Sequence, residues 1–323
     1  MSYAGSTRGR YPFVEMVGST IRRYPIVVMI VACALVFAPT SSAFFTAENL
    51  TNVLLQISVI GIMSVGMTFI LVSGNFDLSV GSILGLAAAI AMGMQSLGLG
   101  AVVAVLIALM IGTLLGTING LLVTKAKINS FIVTLGAMIG VRGLVYLYTN
   151  ERPIVGTDRL IVDFGNSSIG PIPTLGVIFL VALIIGEFVL RYTTHGRNTT
   201  AVGSNPEASI NAGISVDRHL IVNFMLSGFM AALAGVLLVA RTNSATAFLG
   251  SNYEMLVISA VVLGGTRLMG GYGSMIHTLG GVLVIGAIQN GMSLLNVHTY
   301  YSMLVMGLLL IFTVFVNTKW QRQ

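Results

Sequence analysis

The sequence predicts an all-α, polytopic membrane protein with about ten transmembrane helices. Three observations carry that prediction. Of 323 residues, 55% are hydrophobic and only 8% are charged. The mean hydropathy is +0.94. Apolar runs of membrane-crossing length recur along nearly the whole chain. Globular domains carry about 25% charged residues, and so few charges cannot cover a soluble surface of this size. Composition therefore excludes a cytosolic globular enzyme and a disordered tail protein. The 38 glycines suit closely packed membrane helices. The net charge of +6 does not signal nucleic acid: the cations sit in short loops beside apolar runs, the pattern that orients a protein in lipid.

A crossing helix needs about 20 mostly apolar residues. The first span is expected from Tyr24 to Phe44, after Arg22 and Arg23. It reads as a retained helix rather than a cleaved signal, because a long polar leader precedes it and the rest of the chain is equally apolar. Its Cys33 is the only cysteine, so no internal disulfide can form. The second span runs from Val53 to Ser73 and the third from Leu78 to Gln95. The fourth, Gly98 to Thr124, carries Gly112, Gly116 and Gly120 on one face. The fifth, Ser130 to Tyr148, repeats the device with Gly136 and Gly140, as the third does with Gly81 and Gly85. Such spacing lets a neighbouring backbone come close, either within one chain or at an oligomer interface. A polar stretch from Asn150 to Pro173 precedes the sixth span, Leu175 to Tyr192. A second, Thr193 to Arg218, precedes the seventh, Leu220 to Ala240. The eighth runs from Tyr253 to Gly265 and continues irregularly to Gly273; the ninth is Met275 to Leu295 and the tenth Tyr300 to Val316. The 17 methionines read as flexible core fillers.

The implied domain plan is a cytoplasmic tail at 1–20, a transmembrane domain at 21–317 and a cytoplasmic tail at 318–323. An even number of spans puts both termini on one side. Placing them in the cytoplasm leaves 12 of the 16 Lys and Arg inside, with only Arg142, Arg152, Arg159 and Arg241 outside or within the membrane. That excess fixes the expected orientation.

Two stretches break helical character, Ser73–Gly81 and Gly264–Gly273, one in each half of the chain. Irregular backbone is tolerated at membrane depth only inside protein or beside a cavity. Matched interruptions point to a two-fold internal repeat with a midplane site. Asn75, Asp77, Glu254, Gly264 and Gly265 are therefore the candidates for lining or gating a path. Asp77 either caps the helix beginning near Leu78 or lines that path. Glu254 also suits a helix N-terminus as a surface acid complementing the dipole. Glu187 receives no role.

The stretch from His195 to Ile214 holds a second candidate element. Asn205 is a good N-cap, Pro206 suits the first helical position, Glu207 complements the positive helix end, and Gly213 can end the helix in a left-handed turn. They predict a two-turn helix over 206–212, about 10 Å long. An element this short, held between two spans, is either an ordinary amphipathic loop helix or one that sits in a groove on another protein and transmits a push.

Three motifs carry a resemblance: Asp77-Leu78-Ser79-Val80-Gly81; Gly203-x-Asn205-Pro206-x-Ala208 with Gly213-Ile214; and Val261-Val262-Leu263-Gly264-Gly265-Thr266 with Gly270-Gly271-x-Gly273. Together, over residues 50–317, the chain resembles the ribose-type sugar permeases of bacterial ABC importers, within the branched-chain amino acid and monosaccharide permease family. The resemblance implies a dimer of ten-span permeases, the second copy identical or a paralogue, in the bacterial inner membrane. It implies two ATP-binding cassette ATPase subunits and a periplasmic sugar-binding protein. It makes 193–218 the coupling loop, with Gly203, Asn205, Pro206, Glu207, Ala208 and Gly213 facing the ATPase. Ser209 and Ala212 stand where the family more often has Ala and Ser, and both swaps keep the residue small. The solute stays open among a ribose-like sugar, nucleosides, branched-chain amino acids and a signalling sugar. An ion-coupled secondary transporter would need intramembrane acids poised for protons or sodium, and only Asp77 qualifies loosely.

The sequence contains no Gly-x-x-x-x-Gly-Lys-[Ser/Thr] phosphate loop, nucleophile elbow or His-Glu-x-x-His site, and its four histidines have no ligand spacing. No catalytic residue, metal or cofactor is expected on this chain.

Overall fold

The structure, a computed structural model, describes residues 25–39 and 41–320. The expected tail at 1–20, the start of the first span, and residues 321–323 lie outside the described residues. Thirteen helices follow in order: α1 (Pro25–Phe37), α2 (Ala47–Val72), α3 (Val80–Ser96), α4 (Ala101–Thr124), α5 (Ser130–Thr149), α6 (Arg159–Gly165), α7 (Thr174–Tyr192), α8 (Thr194–Ser204), α9 (Pro206–Asn211), α10 (Val216–Thr242), α11 (Tyr253–Leu263), α12 (Met275–Leu294) and α13 (Thr299–Trp320). Four two-residue strands join them: β1 (Ile154–Val155), β2 (Ser168–Ile169), β3 (Ile172–Pro173) and β4 (Ser244–Ala245). The antiparallel β1–β4 pair sets Ile154 opposite Ala245, and β2–β3 forms a small hairpin.

Among the described residues, six helices are long and apolar enough to cross a membrane: α2, α4, α5, α7, α10 and α12. Of the other expected spans, the third and eighth are shorter apolar helices, Val80–Ser96 and Tyr253–Leu263, and the tenth lies within the 22 residues of α13. At 1.5 Å per residue the 11 residues of α11 reach only about half of a 30 Å hydrocarbon layer.

Helix α2 is the centre. Over its most apolar stretch it is 78% buried, against 28% for α4 and for α5. The latter two expose rows of large side chains such as Leu106, Leu114, Ile132 and Ile139, as lipid-facing helices do. α10 packs along α2, α3 and α4. Glycine makes the α4–α10 contact as close as expected. A Cβ on Gly116 would run into the Phe224 carbonyl, and one on Gly228 into the Gly112 carbonyl. Gly81 and Gly85 likewise lie against chain from Leu249 to Glu254. Gly136 and Gly140 do not follow: both face open space on α5.

The polar stretches hold more structure than expected. Asn150–Pro173 contains β1, α6 and the β2–β3 hairpin, with Asp158 capping α6. Asp158 accepts from the Leu160 and Ala101 amides, and these hold its carboxyl below the usual aspartate range. Thr193–Arg218 contains two helices, α8 and α9, where one was expected. A feature that the sequence did not suggest follows α10. Residues 246–252 turn back into the protein so that α11 begins against the first turn of α3, and Gly250 (φ +77°) packs on the Gly81 carbonyl. The first break behaves alike: residues 73–79 return from the end of α2, and Asp77 meets Ser227 near the middle of α10. In each case a long helix, an irregular return and a short helix follow one another.

Candidate translocation and coupling sites

Asp77 is fully buried. Its Oδ1 accepts from the Ser79 amide at 3.0 Å and the Ser79 hydroxyl at 2.6 Å, while Oδ2 accepts from the Ser227 hydroxyl at 2.8 Å. Asn119 Nδ2 donates to Ser79 Oγ at 2.9 Å. Each carboxylate oxygen thus has a donor, which a buried acid in lipid requires. The cluster ties the return loop to α4 through Asn119 and to α10 through Ser227.

Glu254 is buried in the first turn of α11, not on the surface. Its carboxylate and the Gly250 carbonyl occupy the space beside Gly81, where a side chain would clash. Arg142 of α5 donates to the carbonyl oxygens of Leu249 at 2.7 Å and Ala247 at 3.2 Å, and its charge acts on Glu254. The acid therefore stands where the N-termini of two short helices meet, the favourable place for negative charge.

The other predicted path residues lie elsewhere. Asn75 is half-buried and donates from Nδ2 to the Ser73 carbonyl at 3.0 Å. Gly264 ends α11 and packs against the His277 carbonyl, and Gly265 (φ +89°) faces open space. No hydrogen bond or ion pair joins Asn75, Asp77, Glu254, Gly264 and Gly265 to one another.

The predicted two-turn helix is present as α9. Asn205 Oδ1 accepts from the Ala208 amide at 2.9 Å, Pro206 opens the helix, and Gly213 (φ +80°) donates to the Ile210 carbonyl at its end. Ser209 is buried and donates to the Asn205 carbonyl at 2.9 Å. Glu207, Ala208 and Ile210 are exposed, Ile210 by 60%.

Where α8 meets α9, three backbones touch. Gly271 N–H donates to the Val72 carbonyl at 2.9 Å. A Cβ on Gly203 would strike that same carbonyl, and one on Gly270 would meet Gly203 and Gly74. Both interrupted segments, read separately in the sequence, thus converge on the loop that carries α9. Nearby, Glu187 Oε2 accepts from the Met275 amide at 2.9 Å and caps α12 from α7.

A polar chain crosses from α8 to α10. His195 Nε2 lies 2.9 Å from Asn223 Oδ1, His195 Nδ1 2.9 Å from His219 Nδ1, and His219 Nε2 3.2 Å from Asn198 Nδ2. One protonation pattern satisfies all three contacts. Asn198 donates to His219, His219 Nδ1–H to His195, and His195 Nε2–H to Asn223, with both rings neutral. Burial first, and the charge of Arg218 as well, push His195 below the usual histidine range.

Among the described residues no group of three or more His, Cys, Asp or Glu could hold a metal ion. Ser227, Asn119, Arg142 and the histidine pair escaped the sequence reading. The available signal was a polar residue isolated within an apolar helix, which is costly unless partnered.

The family model described as "Branched-chain amino acid transport system / permease component" matches residues 49–314. The ribose import permease protein of Bacillus subtilis is 40% identical over 86% of this chain and 87% of its own length. The ribose import permease protein of Escherichia coli K12 is 39% identical over 87% of this chain and 89% of its own. The L-arabinose transport system permease protein of E. coli K12 is 36% identical over 99% of this chain and 97% of its own. No solved structure matches.

Proposed function

The chain belongs to the branched-chain amino acid transport system permease family, and from that premise we propose that it is the membrane subunit of an ATP-binding cassette importer for a monosaccharide. A pentose such as ribose or arabinose fits best, because the relatives named for those sugars match at 36–40% identity over most of both chains. In this reading ten segments cross the bacterial inner membrane, the short helices doing so together with their buried irregular returns. The repeated unit is α2 with α3 and, inverted, α10 with α11. Both termini face the cytoplasm, and two permeases pair over two ATPase subunits beneath a periplasmic sugar-binding protein.

The observation that carries the mechanism is the seat of α9. Its exposed face offers Glu207, Ala208 and Ile210, while its root is the glycine contact of Gly203 with Val72, Gly74 and Gly270–Gly271. ATP binding by the partner moves α9. The glycine contact passes the movement to the ends of α2 and α12, and the spans rock between outward and inward access. Because the solute arrives already captured by its receptor, the path itself need not hold it tightly. The chain supplies the route and the lever, and the partner supplies nucleotide chemistry.

The test is ATP-driven uptake of radiolabelled ribose or arabinose in proteoliposomes holding permease, ATPase and binding protein. Glu207→Lys and Ala208→Trp are expected to abolish both uptake and the ATPase stimulation by sugar-loaded binding protein. Uptake that persists without any ATPase and collapses with an uncoupler would instead establish an ion-coupled carrier.

A further inference from the structure

A cavity of about 380 Å³ opens between α2, α10, α11, α12 and the start of α13. It lies at the end of the molecule opposite α9, where α10 and α12 finish and α2 begins. Its polar lining is Gln56, Arg241, Tyr253, Gln289, Ser293 and Ser302; the rest is aliphatic, from α2, α10, α11 and Val297 after α12. Among the described residues, no hydrogen bond within the protein occupies the side chains of Gln56, Arg241, Gln289 or Ser293, or the Tyr253 hydroxyl, and Arg241 has no acid within ion-pairing distance. One residue further along α12 the situation is reversed: Asn290 and Asn49 exchange amide hydrogen bonds at 2.9 and 2.8 Å.

Unpartnered Arg and Gln side chains cannot face hydrocarbon at this depth without large cost, so the cavity holds water or solute. Its volume lies within the range of small-molecule sites, and its mixture of aliphatic walls with a few converging polar groups is their usual make-up. The chemistry is that of a polyol site. Two amides donate and accept, a hydroxyl does both, a guanidinium adds several fixed donors, and the Tyr253 ring offers an apolar surface to a sugar's C–H face. Tyr253 opens α11, so the floor of the cavity is the N-terminus of a short helix that begins inside the protein, next to Glu254. Sites at the ends of such broken helices suit transport.

We infer that this cavity is a sugar-binding vestibule within each permease, receiving a neutral monosaccharide at the outer end, with Gln56, Gln289 and Arg241 as its principal hydrogen-bonding groups. The inference rests on the importer reading above and adds a location that neither the interrupted motifs nor the coupling loop supplied.

The experiment uses the reconstituted complex of permease, ATPase and binding protein, with ribose and arabinose as probes. The double variant Gln56→Ala/Gln289→Ala is expected to lower uptake about tenfold for each hydrogen bond lost, while ATP hydrolysis stimulated by the loaded binding protein stays at the wild-type level. In a second arm, Ser293→Cys in a Cys33→Ala background is labelled by a charged thiol reagent, and added sugar slows the labelling. Double-variant uptake equal to wild type, or labelling indifferent to sugar, overturns the vestibule. If the double variant does not assemble, the labelling arm alone decides. Slowing of the labelling by leucine and not by sugar overturns the polyol assignment. Failure of the wild-type complex to carry either sugar is a separate outcome that sinks the importer reading itself.

Discussion

Two polar regions of this protein, one near the middle of α10 and one at its end, have opposite bonding. Around Asp77 both carboxylate oxygens are taken: Ser79 and Ser227 donate to them, and Asn119 donates to Ser79. Around the α2–α12 cavity, Gln56, Gln289 and Arg241 have no such partners. A buried polar group whose partners lie within the fold holds the architecture, whereas an accessible one with no partner beside open volume is available to something that comes and goes. The acid that first attracts attention in the sequence belongs to the first kind, and inconspicuous glutamines belong to the second.

The contrast can be broken at several strengths. The largest effect is expected in the dry region's packing. Gly116→Leu or Gly228→Leu drives a side chain into the facing backbone of α10 or α4, and neither variant should yield a monodisperse protein on size-exclusion chromatography in detergent. Next comes Asp77→Ala, which leaves the Ser79 and Ser227 donors unpaired and should cost about 2–4 kcal/mol in denaturant unfolding. Asp77→Asn keeps an acceptor and should cost less. Gln289→Leu is the counterpart in the wet region. With no partner to orphan, it should change the same unfolding measurement by less than about 0.5 kcal/mol; a loss as large as that of Asp77→Ala would erase the distinction. The smallest effect concerns pH. His195 titrates lower when folded than when unfolded, so its contribution is complete above the unfolded value near 6.5 and declines as pH falls from there. A proton on His195 sets two N–H groups against each other in the His195–His219 contact, and one on His219 sets its Nε2–H against the Asn198 amide. The protection factors of α8 amides, corrected for the intrinsic exchange rate at each pH, should therefore fall below about pH 6.5, and His195→Gln should remove that dependence.

Much of this was legible because composition and periodicity report burial directly. The apolar runs located the helices to within a few residues, and Asn205, Pro206 and Gly213 defined α9 because capping is a local matter between near neighbours. The number of full-length crossings was less legible. A run such as Tyr253–Gly265 is apolar enough to resemble a span, yet it is a short helix preceded by a buried return that looks, letter by letter, like a Ser- and Thr-rich surface loop. Long-range partners were invisible for the same reason: nothing near Asp77 in sequence announces Ser227, which lies 150 positions away. Gly203, Gly74 and Gly270 were each noted within a motif, but only the fold brings them to one point.

That meeting point has a mechanical meaning. Side chains between moving parts act as cushions, since each can change rotamer and absorb a fraction of an ångström before its neighbour feels anything. Where Gly203 rests on Val72 and Gly270, no side chain intervenes, and main chain bears on main chain. A joint built this way has almost no backlash: a displacement of the small helix outside the bundle reaches the long helix at its centre at nearly full stroke.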